Sequence, residues 1–193
     1  MDRVLAEAGE LAARGVKELI VVAQDITRYG TDWDGRRHLA DLLEELCKMD
    51  FHWIRLHYLY PDQMDERLID VIAREEKILK YLDIPLQHCN NGILKKMNRR
   101  GDKAYIENLL DALREKIPGV VLRTSLITGL PGEGEEEFEE LCQFLWDQRM
   151  LRAGVFPYSP EDGTPAAKME RTDTEEAERR AELVVDIQSR IMD

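Results

Sequence analysis

Residues 120–137, VVLRTSLITGLPGEGEEE, constrain the fold of this chain more than any other stretch. The first nine residues carry apolar side chains on both faces of a β-strand, whose side chains alternate with a period of two. Apolar residues on both faces are typical of a parallel strand that is covered by helices. A Pro-Gly turn and an acidic segment follow, and acidic residues suit the positive end of a helix dipole. The stretch therefore predicts a strand, a turn and a helix, an arrangement that places ligands in α/β proteins.

Polar side chains interrupt only one face of this predicted strand. Arg123 and Ser125 share that face with Val121 and Ile127, because side chains two residues apart point the same way. A buried guanidinium is costly unless it pairs with an anion. We therefore expect this face to line a polar cavity. An internal salt bridge from Arg123 to Asp83 is the alternative that the residues leave open.

The rest of the chain alternates strand and helix patterns. The predicted strands are Glu18–Ala23, Trp53–Tyr60, Lys80–Leu86, residues 120–128 and Arg152–Tyr158. The predicted helices are Asp2–Arg14, His38–Met49, Asp65–Glu75, Asn91–Met97, Asp102–Ile117, Glu136–Arg149 and a last helix to Met192 that starts from a capping box at Thr172–Glu175. The segment Gln24–Gly35 is predicted as a long loop. This order predicts strand–helix units with right-handed crossovers, and the polar strand face favours a barrel interior over an open sheet.

The predicted α/β barrel is incomplete. The chain opens on a helix, and five parallel strands would leave the edge of the first strand uncovered. We therefore expect a partial, TIM-like barrel of five parallel strands in which the first strand is missing, so that the chain is a fragment of a longer protein. Its 193 residues suit a single domain, 1–193.

Composition narrows the range of partners. The net charge of −12 repels a phosphate backbone and favours a basic protein partner, unless the charge serves only solubility. No apolar run approaches the roughly 18 residues of a membrane span. The three cysteines, Cys47, Cys89 and Cys142, lie far apart in no metal-ligand spacing, so we predict no metal site, no disulfide framework and a cytoplasmic location. We expect Cys89 to be a buried filler and His57 to be a core histidine with a partner.

Five motifs follow one another along nearly the whole chain. They are VAQDITRYG (22–30), WIRLHYLYP (53–61), DIPLQHCNNGILKKMNRRG (83–101), RTSLITGLPGEGEEEFEEL (123–141) and FPYSPEDGTPAA (156–167). Together they resemble the radical S-adenosylmethionine methylthiotransferases. QDITRYG and PLQH are similar to the branch that modifies ribosomal proteins rather than the branch that modifies transfer RNA.

The resemblance implies a radical SAM barrel of six βα units whose lumen holds S-adenosyl-L-methionine and a 4Fe-4S cluster. It implies transfer of a methylthio group to the β-carbon of an aspartate in a small-subunit ribosomal protein, with sulfur supplied through a second cluster. A transfer-RNA methylthiotransferase and a non-catalytic fragment that binds S-adenosylmethionine or acts as a scaffold remain alternatives. We expect no direct nucleic-acid binding by this domain and no membrane association.

The resemblance also implies residues for the methionyl and ribose parts of the cofactor. Gln24 stands where the family contacts the methionyl amine, and Gln87 would reach toward the cofactor. Arg123 would pair with the methionyl carboxylate, which is the anion that the strand pattern requires. Ser125 would hydrogen-bond the ribose or the carboxylate. Capping of a strand end by Gln87 and His88 is the competing interpretation.

The implied adenine contacts come from two later segments. Ile127 to Gly129 would pass beneath the adenine, since glycine allows a close approach of the backbone. Phe156 to Tyr158 would present backbone groups and an aromatic face to the same ring.

The sequence departs from the family at the cluster. Thiolates ligate such clusters, and the family places a Cys-x3-Cys-x2-Cys loop after its first strand, a spacing that this sequence lacks. The resemblance also does not extend to the N-terminal cluster-binding portion or to the C-terminal β-domain of the family. We therefore predict that the chain holds most of a cofactor pocket, no cluster ligands and no activity by itself.

Overall fold

The computed structural model describes residues 1–192. The strands are β1 (Glu18–Val21), β2 (Trp53–Leu56), β3 (Ile78–Asp83), β4 (Val121–Thr128) and β5 (Arg152–Pro157). The helices are α1 (Asp2–Ala13), α2 (Thr31–Asp34), α3 (Leu39–Cys47), α4 (Glu66–Arg74), α5 (Asn91–Lys96), α6 (Lys103–Lys116), α7 (Glu135–Asp147) and α8 (Thr174–Met192). All five predicted strands are present.

The chain divides into two compact units, which are described separately. The first unit comprises Met1–Ile84 and Asp111–Val121. Its strands β1, β2 and β3 are parallel, and β1 pairs with β2 from Glu18↔Trp53 onward. Helices α3 and α4 pack on each other, and α4 also packs on β3. Their buried side chains include Leu42, Leu43, Leu46, Leu68, Val71 and Ile72.

The second unit comprises Pro85–Leu110 and the chain from Leu122 onward. Its strands β4 and β5 are parallel and pair from Arg123↔Arg152 to Thr128↔Pro157. Helix α8 packs on β5 and on α7. The buried side chains of α7 are Phe138, Leu141, Phe144 and Leu145. The unit thus has the strand, turn and helix that residues 120–137 predict.

Two local predictions were wrong. The segment Gln24–Gly35 is not a plain loop, because it contains a 3₁₀ turn at Ile26–Arg28 and helix α2. The side chain of Asp25 caps the 3₁₀ turn by accepting a hydrogen bond from the Thr27 amide. A polar, turn-rich composition did not reveal these two short helices, only the first of which has a side-chain cap.

The predicted capping box at Thr172–Glu175 is also wrong. Helix α8 begins at Thr174, and the side chain of Asp173 accepts from the Glu175 amide at 3.1 Å. The Thr172 hydroxyl instead donates to the carbonyl oxygen of Glu133 at 2.9 Å. A tertiary hydrogen bond therefore takes the side chain that the spacing alone assigns to a helix cap.

Candidate functional site

Strand β4 has one closed face and one open face. The side chains of Leu122, Thr124, Leu126 and Thr128 are buried, and the alternating residues, which include Arg123 and Ser125, are half-buried. Arg123 Nη1 donates to Ser125 Oγ at 3.2 Å, so these two polar groups lie together on the open face. The prediction that Arg123 and Ser125 share one face of the strand is confirmed.

Gln87 lies beside β4 in a left-handed conformation, with φ +72°. Its amide donates to the Ser125 carbonyl oxygen at 2.8 Å, and its carbonyl oxygen accepts from the Ile127 amide at 2.9 Å. A positive φ is unfavourable for a non-glycine residue, and the two hydrogen bonds stabilise this conformation of Gln87. The structure therefore brings Gln87, Ser125 and Ile127 together.

The Pro-Gly turn after β4 has the geometry that its composition predicts. The amide of Glu133 donates to the carbonyl oxygen of Leu130 at 2.9 Å, and Gly132 has φ +86°, as the third residue of a type II turn requires. Gly129 also has positive φ, at +75°, and is buried. Its amide donates to Glu133 Oε1 at 2.8 Å. The carboxylate of Glu133, at the end of the turn, thus binds the amide of Gly129, at its start.

Strand β5 places the two predicted aromatic residues next to the end of β4. Phe156 pairs in register with Ile127 and is 55% exposed. The amide of Tyr158 donates to the Thr128 carbonyl oxygen at 2.8 Å. Gly154 lies opposite Ser125, and a β-carbon there would come within 3.3 Å of Arg123 Nη2. The glycine therefore leaves room beside the guanidinium for a ligand.

Gln24 is the one predicted cofactor-binding residue that lies in the first unit. Gln24 is exposed in the segment that follows β1. His57, after β2, is half-buried, and its Nδ1 lies 3.3 Å from Asp83 Oδ2. The expected partner of His57 is therefore present and is Asp83, but the prediction that this histidine lies in the core is wrong.

The sequence did not predict a buried ionic cluster beneath the turn. Its members are Glu133, His88 and Arg180, whose side chains are at most 6% exposed. Arg180 Nη1 donates to Glu133 Oε1 at 2.9 Å. His88 Nε2 lies 3.4 Å from Glu133 Oε2, a distance that is too long for a good hydrogen bond. The sequence offers little signal for it, since Glu133 heads an acidic run and Arg180 sits in a charged helix.

The hydrogen bonds of His88 determine which ring nitrogen carries its proton. Nδ1 accepts from the Asn90 amide at 3.0 Å. In the neutral ring the proton is therefore on Nε2, the nitrogen that faces Glu133. Burial by itself raises the pKa of Glu133, but His88, the Gly129 amide and Arg180 outweigh it and hold that pKa below its usual value. Glu133 is accordingly a carboxylate at neutral pH.

The cysteines do not suit an iron–sulfur cluster. Burial raises the pKa of the Cys47 and Cys142 thiols to about 11 and that of Cys89 to about 12, so all three are protonated at neutral pH. Cys89 is fully buried and its thiol donates to the Glu140 carbonyl oxygen at 3.7 Å. Within residues 1–192 no group of three or more His, Cys, Asp or Glu side chains is arranged to hold a metal ion. The polar face of β4 fits an organic anion, and the described side chains do not fit a cluster.

An open pocket of about 640 Å³ lies beside the same turn in the second unit. It is lined by residues 131–134 and 169–172 together with Lys96 and Glu137. None of the eight predicted site residues lines it, and its charges are mixed. No helix in the described part of the chain is both long and apolar enough to cross a bilayer.

The chain belongs to the radical SAM superfamily. The superfamily's sequence profile matches residues 1–145, which is most of the chain. The match establishes the class of protein to which the strands, the turn and the polar face of β4 belong.

Within this superfamily the chain is similar to the ribosomal protein uS12 methylthiotransferase RimO. It is 55% identical to RimO of Anaeromyxobacter sp. (strain Fw109-5) over 170 residues, which cover 88% of this chain and 36% of that protein. It is 49% identical to RimO of Myxococcus xanthus over 192 residues, or 99% of this chain and 40% of that protein. The chain thus spans less than half the length of these curated relatives.

Solved structures confirm the fold. Coproporphyrinogen III oxidase (HemN) from Escherichia coli superposes with a TM-score of 0.75 at 18% identity, covering 98% of this chain and 45% of that one. The radical S-adenosylmethionine methyltransferase TsrM from Kitasatospora setae superposes with a TM-score of 0.63 at 18% identity, over 80% of this chain and 30% of that one. The fold is a partial α/β barrel of the radical SAM type, as predicted.

Proposed function

We propose that this chain is the S-adenosylmethionine-binding barrel segment of a methylthiotransferase that acts on ribosomal protein uS12. The product carries a C–SCH3 group where the substrate has C–H, at the β-carbon of an aspartate. Identity near one half to RimO proteins, over 88–99% of the chain, is the observation that carries the proposal. A ribosomal protein as substrate agrees with a net charge of −12, which favours a basic protein over RNA, and with a cytoplasmic location.

The proposed cofactor site is the open face of β4 with its two flanking segments. Arg123 binds the methionyl carboxylate in a charge-assisted contact, and Ser125, its hydrogen-bond partner, orients it or the ribose. Gln87 completes the polar side. A contact of Gln24, in the first unit, with the methionyl amine stays a prediction from the resemblance. Ile127 provides an apolar surface for the adenine.

Three further residues complete the proposed adenine pocket. Gly129 lets the backbone approach the ring closely, and Phe156 and Tyr158 form its far wall. When bound, S-adenosylmethionine supplies the methyl group and the deoxyadenosyl group. In radical SAM enzymes its reductive cleavage needs a 4Fe-4S cluster. Because the described thiols do not suit one, we assign no electron-transfer step to these residues.

Mass spectrometry tests the substrate. Deleting the gene should remove one methylthio group from uS12 and leave transfer RNA unchanged. Loss of methylthio from transfer RNA, with uS12 unchanged, would instead assign the transfer-RNA activity.

A second possibility is that the chain by itself binds S-adenosylmethionine, or serves only as a scaffold, without turnover. The observation that favours it is geometric, because no group of three or more His, Cys, Asp or Glu side chains within residues 1–192 is arranged to hold a metal ion. Calorimetric titration of the purified chain with S-adenosylmethionine separates a chain that binds the cofactor from one that is only a scaffold, because a scaffold releases no binding heat.

A further inference from the structure

Arg180, on helix α8, holds the turn that follows β4. Its side chain is 6% exposed. Its Nη1 donates to Glu133 Oε1 at 2.9 Å, to the Glu133 carbonyl oxygen at 3.2 Å and to the Gly134 carbonyl oxygen at 3.1 Å. One nitrogen of this arginine therefore contacts three oxygen atoms of the turn.

The remaining nitrogens of Arg180 fix the guanidinium in place. Nε donates to Glu176 Oε1 at 2.9 Å, one turn earlier on α8, and Nη2 donates to Glu135 Oε2 at 3.2 Å. The Phe138 ring lies under the guanidinium, with its centroid 5.0 Å from Cζ. The planar fork of arginine suits this set of contacts, and a lysine ammonium would make only part of it.

Glu133 connects Arg180 to the residue at which the turn starts. Its Oε1, which Arg180 contacts, also accepts from the buried Gly129 amide at 2.8 Å. A continuous path of contacts thus runs from α8 through one carboxylate to Gly129, a residue of the proposed adenine pocket.

We infer that Arg180 is a positioning residue for the S-adenosylmethionine site: it fixes Glu133, and Glu133 fixes the Gly129 amide and the course of the turn. The inference rests on the proposed function, because it takes the turn to be part of the cofactor site. Buried ion pairs add little net stability, since desolvation offsets their attraction. The directional hydrogen bonds of this cluster instead fix one conformation of the turn.

The test replaces Arg180 in the whole chain and reads out two properties. Arg180→Met keeps most of the side-chain volume and removes all donors. Arg180→Lys is the milder variant, in case the first does not fold. Hydrogen exchange reports on the Gly129 amide, and titration with S-adenosylmethionine up to millimolar concentration reports on the cofactor.

Two control variants separate positioning from stability. Arg179→Met removes a neighbouring arginine that also pairs with Glu176 but is exposed. Val184→Ala opens a cavity at a fully buried position of α8 without touching the turn. Each is measured at the same distance below its own melting temperature.

Arg180→Met should exchange the Gly129 amide about tenfold faster and bind S-adenosylmethionine about tenfold more weakly, and both controls should retain wild-type values. Arg180→Lys should lie between. Normal protection of Gly129 in Arg180→Met overturns the inference, and so does unchanged cofactor affinity despite faster exchange. Equal losses in Val184→Ala would reduce the role of Arg180 to stability and overturn it too.

The failure of the inference is distinguishable from that of the proposed function. If the wild-type chain binds no S-adenosylmethionine, the proposed cofactor site fails and the inference fails with it. If the wild-type chain binds and Arg180→Met binds equally well, only the inference fails.

Discussion

Gly129 packs directly against Ala177. A β-carbon at position 129 would lie 2.4 Å from Ala177 Cβ, far inside van der Waals contact. The next residue back, Thr128, donates from its hydroxyl to the Ala177 carbonyl oxygen at 2.8 Å. The end of β4 and the first turns of α8 therefore approach as closely as their backbones allow.

Gly129→Ala should be strongly destabilising for this reason. The alanine would have to adopt φ +75° and would clash with Ala177, costs that together come to about 2–4 kcal/mol of unfolding free energy. Chemical denaturation measures the loss. Gly15→Ala is a matched control, because Gly15 has φ +81° and nothing within 4 Å of a β-carbon.

The control should lose only about 1 kcal/mol, the cost of the left-handed conformation alone. Equal losses at the two positions would show that Ala177 does not restrict position 129.

The sequence predicted the strands and the turn because their signals are local. Alternation identified β4, and Pro131-Gly132 identified the turn, since each pattern depends on neighbouring residues only. It could not predict the burial of Glu133, because the partner Arg180 is 47 positions away along the chain. Nothing in an acidic helix start distinguishes the one carboxylate that is buried against an arginine from those that stay exposed to water.

Glu133 should make the stability of the chain depend on pH in acid. Its pKa is lower in the folded chain than its ordinary value of 4.5, so its contribution is complete above that pH. The contribution is lost as the pH falls through the native pKa. Glu133→Gln should therefore cost about 2–4 kcal/mol near pH 7, and the difference from wild type should shrink in acid.

Urea denaturation at several pH values measures this difference. Working with the difference is necessary because Glu176, whose pKa its contacts with Arg179 and Arg180 lower to about 2, and Glu140 also titrate in acid. A difference that stays constant with pH would mean that the Glu133 charge is not what stabilises the turn.

Arg123→Leu should weaken binding of S-adenosylmethionine by about tenfold or more. The variant removes the cation proposed to pair with the methionyl carboxylate, and a hydrogen bond to a charged group contributes about 1.5–3 kcal/mol. Calorimetry on the purified chain measures the dissociation constant. Arg190→Leu, at an exposed arginine that pairs with Asp186 on α8, is the control and should bind normally.

Unchanged affinity in Arg123→Leu would support the alternative in which this guanidinium serves an internal salt bridge. In that case the variant should lose stability instead.

The chain should assemble no stable 4Fe-4S cluster when it is incubated with iron and sulfide under anaerobic, reducing conditions. Cluster ligation requires several thiolates around one site, and within residues 1–192 no group of three or more His, Cys, Asp or Glu side chains is arranged to hold a metal ion. Burial also raises the pKa of Cys47, Cys89 and Cys142 to about 11, 12 and 11. After desalting, the expected spectrum has no charge-transfer absorbance. In parallel, a thiol reagent near pH 8 should label Cys89 far more slowly in the native chain than in urea, because the thiol is fully buried. A cluster that survives desalting, together with protection of all three thiols from the reagent, would show that the cysteines come together in a conformation that this structure does not contain.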